Sequence, residues 1–115
     1  MIFNCEKQTI YEMVSNASRA VSGKMATPSL EGVLLCASRR NGSGVLRVSG
    51  YNLEIGITAE RGCEVVEEGE TVINAKLFAD ILRNMPNGTV SFGVNDKNIV
   101  EMKCGSTEYT ILGMP

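Results

Sequence analysis

The sequence predicts an α+β fold in which a β-α-β-β-β unit is used twice, with two adjacent helices on one side of antiparallel sheets. Three observations predict it. Each half opens on a short apolar strand pattern that runs straight into one amphipathic helical stretch. Three short strand patterns follow each helical stretch. Tight turn signals, not helical crossovers, join those strands. Neither unit can bury its apolar faces alone, so the two must pack as one body. The repetition lies in the order of elements, since residue identity between the halves is low. A chain of 115 residues, 43% hydrophobic, fits one domain with its own core.

In the first half, residues 2–6 form the opening strand and 7–22 the helix. Ile10, Met13, Val14, Ala17 and Val21 fall at offsets of three, four, seven and eleven, one continuous apolar stripe. Thr9-Ile10-Tyr11-Glu12 has the S/T-x-x-E pattern of a capping box, with a start one turn earlier left open, and Gly23 is placed to end the helix. Gln8, Glu12, Ser15, Asn16 and Arg19 occupy the other face, with Lys7 and Lys24 near the two ends. Strands are expected over 30–37, 45–49 and 53–59. Asn41-Gly42 is a strong reverse-turn signal between the first two. Arg39 and Arg40 at that hairpin tip read either as solvated residues or as an anion contact.

The second half opens with a strand over 69–73. Asn74 is the candidate N-cap of a helix over 75–85, and Pro86 stops it. Leu77, Phe78, Ile81, Leu82 and Met85 form its buried side. Lys76, Asp80 and Arg83 share the opposite face, either as an ordinary solvated face with weak ion pairs or as a binding surface. Strands over 90–94, 99–104 and 107–112 complete the chain, turned at Asn95-Asp96-Lys97 and Gly105-Ser106. The last one alternates Tyr109 and Ile111 against Glu108 and Thr110 and is a candidate open edge.

Charge is divided unevenly. Residues 7–24 carry a net +2 and residues 74–86 a net +1, while the whole chain is −2, leaving −5 outside the helical segments. Much of that sits at Glu60, Glu64, Glu67, Glu68 and Glu70 in the mid-chain connection. Helices that share one side would give the molecule a positive side able to attract a phosphate backbone despite the overall sign. Catalysis is not expected. With no histidine, neither a Ser-His-Asp nor a Cys-His arrangement can be built, and no phosphate-cradling glycine loop is present. Cys5, Cys36, Cys63 and Cys104 lie far apart with no C-x-x-C pair, so no metal and no cofactor is expected, and they read as apolar fillers in a reducing compartment. The N-terminus lacks a secretory pattern and no apolar run spans a bilayer, which makes a cytoplasmic location, away from membranes, the expectation.

Ser22-Gly23-Lys24, then Thr27-Pro28-Ser29-Leu30-Glu31-Gly32-Val33-Leu34-Leu35, then Leu46-x-Val48-x-Gly50-Tyr51-Asn52-Leu53-Glu54-Ile55 resemble the first domain of the bacterial sliding clamp family, the beta subunit of DNA polymerase III. The resemblance continues through Val72-Ile73-Asn74-Ala75-Lys76-Leu77-Phe78, Ile81, Leu82-Arg83-x-Met85-Pro86 and Gly105-x-Thr107-x-Tyr109-Thr110-Ile111. It spans essentially the whole chain. Asn52 departs from the family's usual Asp, Asn74 from its frequent Pro, and Ser106-Thr107-Glu108 is less basic than the family often is.

The resemblance implies the DNA-clamp fold: a ring of head-to-tail subunits around double-stranded DNA, with sheets outside and helices lining the hole. It implies a non-catalytic processivity factor that tethers the replicative polymerase. By position it assigns Lys24, Lys76, Arg83 and Arg19 to DNA phosphates, and Tyr109 and Ile111 to the strand that meets a second clamp subunit. The polymerase and the clamp loader would bind later domains, which the expectation places outside these 115 residues, here read as a single first domain. Two other readings stay open: a stand-alone clamp-fold interaction domain with no DNA role, and a cysteine-dependent enzyme.

Overall fold

The computed structural model of the chain describes residues 1–21, 31–52 and 54–114. In chain order these form β1 (Ile2–Glu6), α1 (Lys7–Ser18), β2 (Gly32–Arg40), β3 (Ser43–Tyr51), β4 (Gly56–Gly62), β5 (Glu64–Glu67), β6 (Gly69–Asn74), α2 (Ala75–Asn84), β7 (Thr89–Val94), β8 (Ile99–Cys104) and β9 (Thr107–Leu112). The strands build two antiparallel sheets, ordered β5-β1-β7-β8-β9 and β4-β3-β2-β6. The α+β, two-helix architecture expected from the repeat is therefore present.

The halves are interlocked, not merely apposed. β1 comes from the first unit but pairs with β7 of the second, while β6 of the second pairs with β2 of the first. Phe3 lies opposite Phe92 in that shared ladder, their rings stack at 4.7 Å, and Phe78 of α2 comes within 5.9 Å of Phe92. All three are fully buried, so one aromatic cluster joins both units. α1 packs against α2 and across β3 and β4. At Gly50 of β3 a Cβ would collide with the carbonyl of Ala17, so the last turn of α1 rests directly on the strand backbone.

Several expected boundaries move. α1 ends at Ser18 instead of residue 22. Its N-cap is Glu6, without a side-chain capping bond, so Thr9 is inside the helix and no capping box forms there. The first orphan N–H is satisfied from afar: Lys7 N–H donates to Gly88 O at 2.8 Å. Gly23 lies outside the described residues. β4 begins at Gly56, after Asn52 Oδ1 has accepted the N–H groups of Glu54 and Ile55 in a tight turn at 2.7 and 2.8 Å. The β2–β3 hairpin extends to its tip, with Asn41 at φ 52° and Gly42 at φ 82°, the pairing of positive angles that a two-residue type I′ turn needs. Asn74 does cap α2, accepting from Leu77 N–H at 3.0 Å.

β5 was not expected. The stretch Glu64–Glu67 reads as part of an acidic connection, yet it pairs with β1 and forms the rim of the five-stranded sheet. Arg39 secures it. Its guanidinium donates to Val65 O at 3.2 and 2.9 Å and also to Val66 O, while its backbone N–H donates to Glu68 Oε2 at 3.1 Å. The hairpin-tip arginine is thus neither free in solvent nor an anion contact. It occupies the carbonyls of two successive residues of this rim strand.

Candidate nucleic-acid interface

The two helices run antiparallel. The start of α1 reaches the segment beyond α2 through Lys7 and Gly88, and its end shares a groove with the start of α2. That groove holds about 400 Å³ and is lined by Ser18, Val21, Glu31, Asn74, Lys76 and Asp80, among others. Lys76 stands exposed at its α2 wall. Arg19, exposed, follows Ser18 at the same end, as the C-cap of α1 with φ −65° and ψ −24°. Arg83 lies at the other end of α2, seven residues and about 10 Å along the axis from Lys76. It is exposed and donates from Nη2 to Asp80 Oδ1 at 2.9 Å, an i, i+3 pair in water that leaves most of the guanidinium free.

The structure thus brings Arg19 and Lys76 to one end of the helix pair and Arg83 to the other. Lys24 lies outside the described residues. Lys7 is only 9% exposed, with its Nζ 5.3 Å from the centre of the Tyr11 ring, so its charge belongs to a local cation–π contact. With α1 ending at Ser18, Lys7 and Arg19 against Glu12 leave that helix and its C-cap at +1, below the +2 expected of the longer segment. α2 holds Lys76 and Arg83 against Asp80, the expected +1.

The acidic residues lie mostly on strands and turns, several of them engaged. Met1's ammonium meets Glu67 Oε1 at 2.8 Å, and Asn4 Nδ2 donates to Glu64 Oε1 at 2.6 Å. The Arg40 hydrogen bond, 2.7 Å to Glu60, is the main reason that carboxyl sits below its ordinary range, with Arg47 at 3.3 Å acting the same way.

β9 is a rim strand, bonded only to β8 among the described residues. Ile111 lies opposite Val100 and Tyr109 opposite Met102, so both belong to the core-facing row and are half-buried at its margin. Several large apolar residues are exposed, among them one on β9 and one on α2. Leu112 is 71% exposed, and Leu77, expected in the core, is 44% exposed. Leu77 sits on the flank of the α2 stripe, and a helical wheel alone does not say which flank α1 covers. Ala79, on the opposite flank, packs inward.

The family described as DNA polymerase III beta subunit, N-terminal domain, matches residues 1–115. The beta sliding clamp of Streptomyces coelicolor is 29% identical over 115 residues, covering 100% of this chain and 29% of that protein. That of Halalkalibacterium halodurans is 27% identical over 118 residues, covering 99% of this chain and 31% of the relative. The chain therefore spans about three-tenths of the length of these curated relatives. Among solved structures, a putative DNA polymerase III beta subunit from Eubacterium rectale superposes with a TM-score of 0.92 at 24% identity, over 99% of this chain and 30% of that one. The DNA polymerase sliding clamp from Bacillus subtilis gives 0.91 at 23% identity, over 99% of this chain and 31% of its own. These structural likenesses establish the fold.

Proposed function

The chain belongs to the family of DNA polymerase III beta subunit N-terminal domains, and from that membership we propose that it is one domain of a ring-shaped DNA replication processivity factor. In this reading the domain encloses double-stranded DNA together with further domains and a second subunit, and does no chemistry itself. Its partners would be DNA, the second clamp subunit and, through other domains, the replicative polymerase and clamp loader. The setting would be the cytoplasm. No helix among the described residues is long and apolar enough to cross a membrane.

The observation that carries the DNA role is the pair of adjoining helices with Lys76 and Arg83 exposed on α2 and Arg19 at the end of α1. Lysine and arginine side chains of this length reach phosphates directly or through water. Such contacts hold position on the backbone while reading no bases, which suits a ring that must slide. Lys24 joins the proposed set on family position alone. Tyr109 and Ile111 are proposed for the subunit junction, where an added strand would cover their half-exposed sides and Leu112.

The test is retention on circular DNA of a ring-forming chain that carries this domain with further ones. Reversing Lys24, Lys76 and Arg83 to Glu should shorten retention, and lower the dependence on salt by roughly one unit of log–log slope for each phosphate no longer neutralised. Unchanged retention with all three reversed would remove the inner-face assignment. The second reading, an interaction domain with no DNA role, draws on the open rim at β9. It requires a partner bound there while the reversals leave every activity untouched.

A further inference from the structure

We propose that Cys5 and Cys63 form an oxidant-sensitive pair, which a hydroperoxide converts into a disulfide between β1 and β5 without rearranging the fold. The register carries this. Phe3 lies opposite Val65 and Asn4 opposite Glu64, and one further step along the same antiparallel ladder sets Cys5 opposite Cys63. Opposed residues point to the same face. Here it is the core face: Cys5 is 4% exposed, and Cys63 is half-buried against the same cluster.

The kind of opposition is fixed by two hydrogen bonds. Cys63 N–H donates to Gly44 O on β3 at 3.1 Å, so it points away from β1. Val65, two residues on and of the same parity, gives its carbonyl to Arg39, again away from β1. Cys5 and Cys63 therefore occupy a non-hydrogen-bonded position, where Cα atoms approach to about 4.5 Å and side chains come closest. Disulfides accept Cα separations of about 4.4 to 6.8 Å. The other cysteines have no such partner. Cys36 faces Arg47 and Glu70 across its two ladders, and Cys104 faces Thr107 while its thiol donates to Pro86 O at 3.3 Å.

The chemistry balances with one hydroperoxide. The thiolate of the more accessible Cys63 takes the terminal oxygen, breaking the O–O bond and giving a sulfenic acid and an alkoxide. Cys5 sulfur then attacks the sulfenyl sulfur, the S–S bond forms and hydroxide leaves. The two thiol protons neutralise the alkoxide and the hydroxide, so two thiols are oxidised and the peroxide is reduced to an alcohol and water, or to two waters from hydrogen peroxide. Both thiols are raised above their ordinary value by burial, Cys63 also by Glu64 and Cys5 by Cys63 and Glu6, which makes oxidation slow at neutral pH and leaves the pair reduced until an oxidant accumulates.

The folded chain is treated with hydrogen peroxide, the excess peroxide is removed, the chain is then unfolded in guanidinium chloride containing iodoacetamide so that every remaining thiol is alkylated, and intact mass and peptides are read. Alkylation of about two thiols instead of four, a linked Cys5–Cys63 peptide pair, and return to four after dithiothreitol are expected. Cys63→Ser should abolish the link, and Cys36→Ser should leave it intact. Four alkylated thiols, linkage of Cys5 to Cys36 or Cys104, a link appearing only after denaturation, or Cys63 driven to sulfinic acid with Cys5 still free would each overturn the proposal.

Discussion

Cys5 shows how one buried residue couples the fold to pH. Its burial, together with Cys63 and Glu6 nearby, raises the thiol from 9.0 to about 11, against a smaller opposing hydrogen bond from the Ile10 backbone. Between those values the unfolded chain has lost the proton while the folded chain keeps it. The unfolded state then binds fewer protons, so stability is constant below about pH 8 and falls as pH rises toward 11, by on the order of 2 kcal/mol from this group. Urea unfolding at pH 8 and pH 10.5 should show the wild type losing more stability than Cys5→Ala, because lysine and tyrosine titration is common to both. Parallel losses would mean that Cys5 is not held as a thiol. The sequence shows Cys5 on an apolar strand face, which is why it reads as filler. That Cys63 stands beside it depends on a strand pairing that no local pattern announces.

At the scale of the element, β5 is the informative strand. Glu64-Val65-Val66-Glu67 buries only Val65, so it has neither the alternation nor the apolar run that marks a strand in sequence. Its place is set by β1 on one side and by Arg39 on the other. Arg39→Ala should free the Val65 and Val66 carbonyls and cost about 1–3 kcal/mol, since the hydrogen bonds removed involve a charged donor. Hydrogen exchange should report the loss first in β5, with the β2–β3 hairpin little changed. Uniform loss of protection across both sheets would contradict a local role. α1 teaches a related lesson. Its apolar stripe runs on to Val21, but helical geometry stops at Ser18, and Val21 N–H then bonds Ser18 O at 3.0 Å in a tighter turn. Periodicity reports which side of a segment is covered more reliably than where hydrogen bonding ends. The α2 cap at Asn74 was legible because side chain, spacing and a following apolar stripe all agree.

For the whole molecule, the doubled unit was readable from element order, and the exchange of strands between units was not. Alternation tells which residues face the core, not which strand lies alongside. Because β1 belongs with β7–β9 and β6 with β2–β4, cutting the chain between β5 and β6 parts β5-β1 from β7-β8-β9 in one sheet and β6 from β4-β3-β2 in the other. Fragments 1–68 and 69–115 should each lack cooperative unfolding and show coil-like far-ultraviolet circular dichroism, and mixing them should restore the native spectrum. A fragment that folds alone would refute the interdependence. The candidate surface was partly readable on the same terms. Lys76, Arg83 and Arg19 were identifiable as exposed helical-face residues, whereas the burial of Lys7 beside the Tyr11 ring depends on packing that no local pattern announces.

The two margins of the five-stranded sheet are not equivalent. One is plugged by the Arg39 guanidinium, and the other, β9, carries no neighbour among the described residues. Endless edge-to-edge stacking needs a donor and a receptor margin on every copy. A sheet sealed at one end can be lengthened from the other only, so growth along it terminates after a single addition.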